Sequence, residues 1–371
     1  MGSYEPEYPA TYPPFPDTRS LKGVKCVPLT PVIGSEIKDV DVTEWLRAPN
    51  SDDILRDLAL LIGQRGVIFF RNQHNITDEL QKELCRRVNE LSGAPKENGF
   101  YRHSLKAMQG ADPEMGKVDP DRIYKMYQKP LNGLPRQSHI KEWHTDSSFE
   151  PMPPSYTCLR LAELPETGGD TLWASGYELY DRLSPPYQKF FESLTATHKS
   201  TALYGAAQAD PSQMDPGPRG AAGNVGLEFT SHHPVVRTHP LTGWKSIFAY
   251  GVNCLSIDGV TDMESAQILE KFGRLILDNQ DTQVRFRWEG TGDFGISLLI
   301  LSLLTEEKLT IMTAIWDNRC TFHAATTDHF PVGPRIGWRC MTMGETPFLD
   351  PESKSRNQAT GGWPYKLENP V

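Results

Sequence analysis

The short motif WHTD (143–146) holds two metal-binding side chains two residues apart, the imidazole of His144 and the carboxylate of Asp146. In an extended chain a period of two directs both side chains to the same face of a strand, so they can reach one ion. The best candidate for a third ligand is His323. Two histidines and one carboxylate leave one side of a metal open, which suits an iron(II) ion that must accept a co-substrate and O2.

Each of these residues also has an ordinary structural interpretation. A histidine two residues from an aspartate is usually a hydrogen-bonded pair, and a single histidine such as His323 is usually a buried core residue. His233 and His239 lie on either side of PVVRT, a position that is more often structural than metal-binding. Arg319 is expected to support the loop before His323 through hydrogen bonds. The motifs around these residues decide between the two interpretations.

Seven motifs occur in a characteristic order along the chain: RGVIFFRNQ (65–73), WHTD (143–146), LPETGGDTLWASG (164–176), HPVVRTHPLTG (233–243), VRFRW (284–288), IWDNRCTFHAATTD (315–328) and PRIGWR (334–339). With these motifs the chain resembles the taurine and 2,4-dichlorophenoxyacetate dioxygenases, which belong to the 2-oxoglutarate-dependent superfamily. The resemblance extends over about residues 25–350. It implies an enzyme that uses iron(II), 2-oxoglutarate and O2.

The resemblance also implies a role for individual residues. The iron ligands, which carry the catalysis, are His144, Asp146 and His323. Thr171 matches a threonine whose hydroxyl donates to a carboxylate of 2-oxoglutarate. Arg335 matches the arginine that pairs with the distal carboxylate, a task that suits a fork of donors that stays charged when desolvated. Trp316 matches an aromatic residue of the same pocket.

The predicted reaction hydroxylates a small organic substrate and converts 2-oxoglutarate to succinate and CO2. Arg339 matches an arginine that grips a sulfonate, and His103 lies about where the family places a substrate-contacting histidine. The predicted substrate is therefore anionic, for example taurine or another alkyl or aryl sulfonate. Ile140 and Lys106 replace polar residues of the taurine enzyme and argue against taurine itself. The alternatives are a carboxylate, a purine, a secondary-metabolite intermediate, or an inactive jelly-roll binding protein.

The elements that must position these residues are mostly strands. Eight short runs rich in β-branched and aromatic residues predict strands: 67–70, 156–161, 170–174, 234–238, 246–250, 283–288, 313–316 and 337–343. Capping residues predict helices after Ser51, Thr77, Ser175, Ser184 and Thr261. The pattern favours a mainly β fold with flanking helices, a double-stranded β-helix (jelly roll, cupin-like) core.

The domain organisation follows from composition. Residues 1–24 are rich in tyrosine and proline and predict a flexible arm, 25–350 form the dioxygenase domain, and 351–371 form a C-terminal tail. Compared with the family, an apolar insertion at 294–313 adds about nineteen residues directly before the motif that carries His323. The insertion is open to three interpretations: a lid or dimer contact, an extruded hairpin or helix, or a translated intron. Residues 206–222 predict a mobile loop.

Charge and composition limit the classes of partner that the chain is expected to bind. The net charge is −9 without a basic run, which excludes nucleic acid, and the longest apolar run is too short to cross a bilayer. The six cysteines form no CxxC pair, as expected for reduced thiols in a cytoplasmic protein. The predicted partner is therefore a small-molecule substrate, with no membrane, and the chain is compatible with a homo-oligomer.

Overall fold

The computed structural model describes residues 19–119, 140–288, 311–326, 328–329 and 332–361. The strands are β1 (Cys26–Pro28), β2 (Ser35–Ile37), β3 (Val67–Phe70), β4 (Gly116–Val118), β5 (Pro154–Glu163), β6 (Thr171–Ser175), β7 (Thr195–Lys199), β8 (Thr230–Pro234), β9 (Val236–Thr238), β10 (Lys245–Ile247), β11 (Cys254–Ile257), β12 (Gln283–Phe286), β13 (Met312–Asp317), β14 (Thr321–Ala325) and β15 (Ile336–Met343). The α-helices are α1 (Val42–Arg47), α2 (Ser51–Arg65), α3 (Asp78–Leu91), α4 (Gly176–Asp181), α5 (Pro185–Glu192), α6 (Thr201–Ala209), α7 (Asp262–Leu277) and α8 (Arg356–Thr360).

Two facing sheets build the core. The larger sheet has the strand order β1-β2-β3-β13-β5-β15-β4, and a three-stranded sheet has the order β12-β6-β14. Their inner faces interdigitate, because Phe69 of β3 stacks on Phe286 of β12 with ring centroids 4.0 Å apart and meets Trp173 of β6 edge-on at 5.2 Å. This double-sheet arrangement with flanking helices confirms the predicted jelly roll.

Helices α2 and α3 cover the outer face of the larger sheet. Leu58 and Ile62 of α2 and Leu84 of α3 are fully buried and pack in one cluster with Ile68 and Phe70 of β3. The alternation along β3 sends these two residues to the helices and their neighbours to the inside of the barrel. The helices therefore stabilise the sheet from behind and leave its inner face free to line a site.

Most predicted strands and helices are present in the structure, although their first and last residues often differ from the prediction. Each of the eight predicted strands overlaps an observed strand, and Thr261 caps α7 in a reciprocal capping box with Glu264. The strand β14, which carries His323, is missing from the prediction, as are β7 and β8. These strands contain histidine, threonine and lysine instead of an alternating apolar pattern, so their sequences give little strand signal.

The prediction that residues 206–222 form a mobile loop is wrong. Residues 206–209 complete α6, and the buried Arg219 forms an ion pair with the equally buried Glu150. Most of the apolar insertion, residues 294–310, lies outside the described residues. Its last two residues, Met312 and Thr313, belong to β13.

The described ends of the chain pack on the domain. Leu21 is buried in the cluster under α2, and Arg356 at the start of α8 is buried and forms an ion pair with Glu178 of α4. No helix in the described part of the chain is long and apolar enough to cross a membrane.

Candidate active site

The two histidines of the predicted metal site are joined by their backbones. His144 N–H donates to His323 O at 3.0 Å, and His323 N–H donates to His144 O at 2.8 Å. In β14, His323 is also paired with Trp173 of β6, so the smaller sheet fixes its position. The two imidazole centroids are 4.3 Å apart. The main chain itself therefore places both rings side by side at one end of the barrel.

Asp146 also lies close to the two imidazole rings, but a turn places it there and not the predicted strand. The expected strand over 144–146 is wrong, because only His144 forms an isolated bridge and Asp146 begins a turn. Ser147 in this turn has a φ of 39°, a left-handed conformation that ends an extended segment. Nevertheless Asp146 Oδ1 lies 4.0 Å from His144 Nε2 and 3.8 Å from His323 Nε2.

The chemistry of these three side chains fits a divalent metal. Their potential ligand atoms all lie within 4.8 Å of one another. His144 Nδ1 is 2.7 Å from Glu142 O and donates to it, which leaves the lone pair of Nε2 for a metal. Burial lowers the pKa of His144, and it lowers the pKa of His323 to about 3, so both rings are neutral. Burial alone would raise the pKa of Asp146, but the positive charge of Arg339 and the hydrogen bond from Thr157 hold it at about 2. Two neutral imidazoles and a carboxylate are the donors that iron(II) prefers.

Arg339 lies at the edge of this cluster. Its Nη1 donates to Asp146 Oδ1 at 2.8 Å, and the side chain keeps about 30% of its surface exposed. Register places Arg339 opposite Leu159 of β5 and Gly116 of β4, within the larger sheet. A cation at this place can meet an anionic group brought close to the metal position.

A second cation near the cluster, Arg335, is buried. Arg335 is 3% exposed, and it donates from Nε to Gly169 O at 2.6 Å and from Nη2 to Thr171 Oγ1 at 2.8 Å. Burial lowers the pKa of Arg335 to about 10, and the charge of nearby Asp170 offsets only part of this effect. Asp170 itself bonds Arg285 at 2.6 Å, and among the described residues no carboxylate forms an ion pair with Arg335. A desolvated guanidinium of this kind is stabilised by a ligand anion.

The Thr171 hydroxyl is prepared to donate to the same anion. It accepts one hydrogen bond from Arg335 and another from Trp288 Nε1 at 3.0 Å. A hydroxyl has two lone pairs and one hydrogen, so both lone pairs are used and the hydrogen is left for a ligand. Thr171 lies two residues from Trp173, the partner of His323, which is about 7 Å along the strand. That span suits a short dicarboxylate reaching from the metal position to Arg335.

Trp316 lies beside the cluster of predicted ligands. It is buried in β13, with its ring centroid 4.9 Å from His323 and 5.6 Å from Trp173. Its indole N–H donates to Asn318 Oδ1 at 3.1 Å. The aromatic lining expected from the sequence is therefore beside the predicted ligands.

Comparison with known proteins agrees with this geometry. The family model "Taurine catabolism dioxygenase TauD, TfdA family" matches residues 25–296. The alpha-ketoglutarate-dependent dioxygenase oryG of Aspergillus oryzae is 47% identical over 349 residues, 93% of this chain and 96% of that protein. The alpha-ketoglutarate-dependent dioxygenase btcD of Neocamarosporium betae is 40% identical, with 93% and 98% covered. A crystal structure of a taurine dioxygenase from Burkholderia xenovorans has a TM-score of 0.61 and 26% identity, with 89% and 94% covered.

The chain belongs to the TauD/TfdA family. It is an alpha-ketoglutarate-dependent dioxygenase, and the resemblance that its motifs indicate is confirmed.

Among the predicted site residues of this dioxygenase, His103 has the fewest described contacts with the rest of the site. Its Nδ1 accepts a hydrogen bond from Leu105 N at 3.0 Å, and its ring is 6.3 Å from that of Tyr101. Tyr101 N–H in turn donates to Met341 O, two residues from Arg339. The loop of His103 thus borders β15, and a contact of His103 with the substrate stays a prediction.

The residues on either side of the iron motif form a supporting network. Arg319 donates to both carboxylate oxygens of Asp317, and His239 Nε2 is 2.9 Å from the same carboxylate. Asp317, His239 and Cys320 lie close enough to hold a metal, but Arg319 occupies both oxygens and burial raises the pKa of the Cys320 thiol. His233 Nε2 lies 2.9 Å from Ser148 O. The predicted structural roles of His239, His233 and Arg319 are therefore confirmed.

Sequence reasoning missed two residues that touch the site. Thr157 Oγ1 donates to Asp146 Oδ2 at 2.9 Å, and Asn318 Nδ2 donates to Thr157 Oγ1 at 2.8 Å. Asn318 belongs to the WDNR motif (316–319), whose match to the family was the only available signal. Thr157 lies in a buried strand of mixed composition and gives no signal of its own.

Proposed function

We propose that this dioxygenase binds iron(II) through His144, Asp146 and His323 and hydroxylates a small anionic organic compound. The observation that carries the proposal is the buried Arg335 beside Thr171, about 7 Å along β6 from the cluster of three ligands. Arg335 is a buried cation that pairs with no carboxylate in the described part of the chain, and the Thr171 hydroxyl has only its hydrogen left to donate; together they suit the distal carboxylate of 2-oxoglutarate.

Bound iron(II) would supply the activation of O2 that divides its two atoms between the hydroxylated product and succinate. The protein's own part is positioning and exclusion of water. Arg335 and Thr171 hold the far end of 2-oxoglutarate, and the neutral His144 and His323 and the ionised Asp146 present lone pairs at the near end. The buried aromatic rings around them exclude water from the reacting end of the co-substrate.

Arg339 orients the substrate. Its guanidinium lies 2.8 Å from Asp146 Oδ1, so an anionic group that it binds must lie within a few ångströms of the metal position. The oxidised C–H bond is then close to the acidic group of the substrate. This geometry favours a compact sulfonate or carboxylate in which the acidic group and the reacting carbon are neighbours. The taurine dioxygenase of Burkholderia xenovorans supports a sulfonate as the first candidate.

Succinate formation across a panel of compounds tests the proposal. Sulfonates, aryloxyacetates and purines are incubated with iron(II), 2-oxoglutarate and O2, and sulfite is measured in addition for the sulfonates. We expect succinate to depend on an anionic compound, and we expect the Arg339→Gln variant to lose most of this dependence while it still binds 2-oxoglutarate. A purine as the sole productive substrate, with Arg339→Gln fully active, would contradict the proposed anionic substrate.

The inactive binding protein considered for this sequence receives no support from the geometry. Most of the insertion precedes β13, yet His323 forms both its bridge to His144 and its pair with Trp173. The arrangement of all three ligand side chains is that of a site able to bind a metal.

A further inference from the structure

The two carboxylate oxygens of Asp146 have different surroundings. Oδ1 faces the Nε2 atoms of His144 and His323, and it also accepts the hydrogen bond from Arg339. Oδ2 points to the opposite side and accepts a hydrogen bond of 2.9 Å from the hydroxyl of Thr157. Since both Asp146 and Thr157 are buried, this second bond is not exposed to competition from bulk water.

Asn318 decides the direction of the Thr157 hydrogen bond. The amide oxygen of Asn318 receives two N–H donors, the indole of Trp316 at 3.1 Å and the backbone N–H of Asp146 at 3.2 Å. A flipped amide would place its NH2 group against both donors, so the orientation of Asn318 is fixed. Its Nδ2 therefore donates to Thr157 Oγ1, at 2.8 Å, and the Thr157 hydrogen is left to point at Asp146.

The position of Asn318 is itself determined by the backbone. Its N–H donates to Ser155 O at 2.8 Å, and its C=O accepts from the hydroxyl of Thr145 at 2.8 Å. Asn318 thus lies in the turn between β13 and β14 and contacts both β5 and the WHTD segment. One buried side chain joins the segment that carries Asp146 to the turn that leads to His323.

We propose that Thr157 and Asn318 are positioning residues that hold Asp146 so that only Oδ1 can bind the metal. The inference rests on the proposed function, because it assumes that Asp146 is a metal ligand. Monodentate binding matters because a second carboxylate oxygen on the ion would occupy a position that 2-oxoglutarate or O2 needs. In this chain, the hydrogen bond from Thr157 keeps Oδ2 occupied and turned away.

Binding of Mn(II), without 2-oxoglutarate or turnover, tests the role of the hydroxyl. Mn(II) has the charge and ligand preference of the site and can be titrated by its electron paramagnetic resonance signal. Thr157→Val keeps the shape of the side chain and removes only the hydroxyl. We expect Thr157→Val to bind Mn(II) about tenfold more weakly or worse, with a changed line shape of the bound ion. Thr157→Ala, which also lacks the hydroxyl, serves the same purpose if the valine variant does not fold.

Two further variants separate positioning from general stability. Thr157→Ser restores the hydroxyl and is expected to restore Mn(II) affinity to about the wild-type value. Thr313→Val removes a fully buried hydroxyl from the neighbouring strand β13, where it has no hydrogen-bond partner among the described residues, and should leave Mn(II) binding unchanged. Equal thermal stability of Thr157→Val and Thr157→Ser would show that the difference in affinity is not caused by partial unfolding.

The outcomes distinguish this inference from the proposed function. Wild-type affinity in Thr157→Val, or an equal loss in Thr157→Ser, would overturn the positioning role while the metal site stands. Absence of Mn(II) binding in the folded wild-type protein would overturn the proposed function itself.

Discussion

Arg335 gives the sharpest test of the 2-oxoglutarate site. The side chain is 3% exposed, and its Nε and Nη2 atoms bond to Gly169 O and Thr171 Oγ1. These two bonds fix the plane of the guanidinium, so its remaining N–H groups have one direction in which to meet a ligand. The replacement Arg335→Gln keeps a polar side chain but removes the charge, and Arg335→Lys keeps the charge but removes the fork.

The magnitude follows from the type of bond that is lost. A hydrogen bond to a charged group contributes roughly 1.5–3 kcal/mol. At about 1.4 kcal/mol for each factor of ten, Arg335→Gln should raise the Kd of 2-oxoglutarate roughly 10- to 150-fold. The loss should fall on binding, so kcat at saturating 2-oxoglutarate should change much less than KM. Arg335→Lys should lie between the wild type and Arg335→Gln.

The assay is the rise in Tm when 2-oxoglutarate is added to the Mn(II)-loaded protein, followed by the KM for succinate formation. Arg274→Gln, which removes an exposed cation from α7, controls for the change in net charge. If Arg335→Gln changed the Kd by less than about threefold, the buried cation would not be the anchor of the co-substrate.

Three further predictions concern the neighbouring parts of the site. His323→Gln should abolish the rise in Tm that the wild type shows on adding Mn(II), about 2.7 kcal/mol of stabilisation at a hundredfold excess over Kd; an undiminished rise would contradict metal binding by this residue. Gly169 has a φ of 71°, and a Cβ there would lie 2.9 Å from Arg335 Cδ, so Gly169→Ala should raise the KM for 2-oxoglutarate more than it lowers kcat. Arg219→Met should lower the free energy of unfolding by about 3–5 kcal/mol at neutral pH, measured with denaturant, because it leaves Glu150 buried and unpaired. Burial raises the pKa of Glu150 in the folded state, so the loss of stability in Arg219→Met relative to the wild type should be smallest at low pH and should grow as the pH rises through that pKa; the opposite trend would refute this explanation.

The cluster of candidate metal ligands could be predicted from sequence because each of its residues lies in a contiguous motif. His144 and Asp146 are two residues apart, and the order of the motifs identified His323. The local geometry could not be predicted, since the strand expected at 144–146 is a one-residue bridge followed by a turn. The left-handed Ser147 that ends the bridge is a property of the backbone, and serine permits both conformations.

The contacts of Asn318 and Thr157 with Asp146 could not be predicted from the sequence. Asn318 lies 172 residues from Asp146 and 161 from Thr157, so only the folded sheet brings the three together. No periodicity or spacing in the sequence reports a contact at that separation. Thr157 lies in the middle of a strand, and threonine is common in strands for reasons unrelated to metal binding.

The place of the insertion explains why it leaves the ligands together. Strand β13, which follows it, is held on both sides, since Trp316 pairs with Val67 of β3 and with Thr157 of β5. Beyond this strand, the Asp317 turn is fixed by a hydrogen bond to Gly66 O and by Arg319. The contacts with β3, β5 and Gly66 join residues after 310 to parts of the chain that precede the insertion. The position of His323 depends on these contacts and on the pairing of β14 with β6, all of which are formed by described residues outside 294–310.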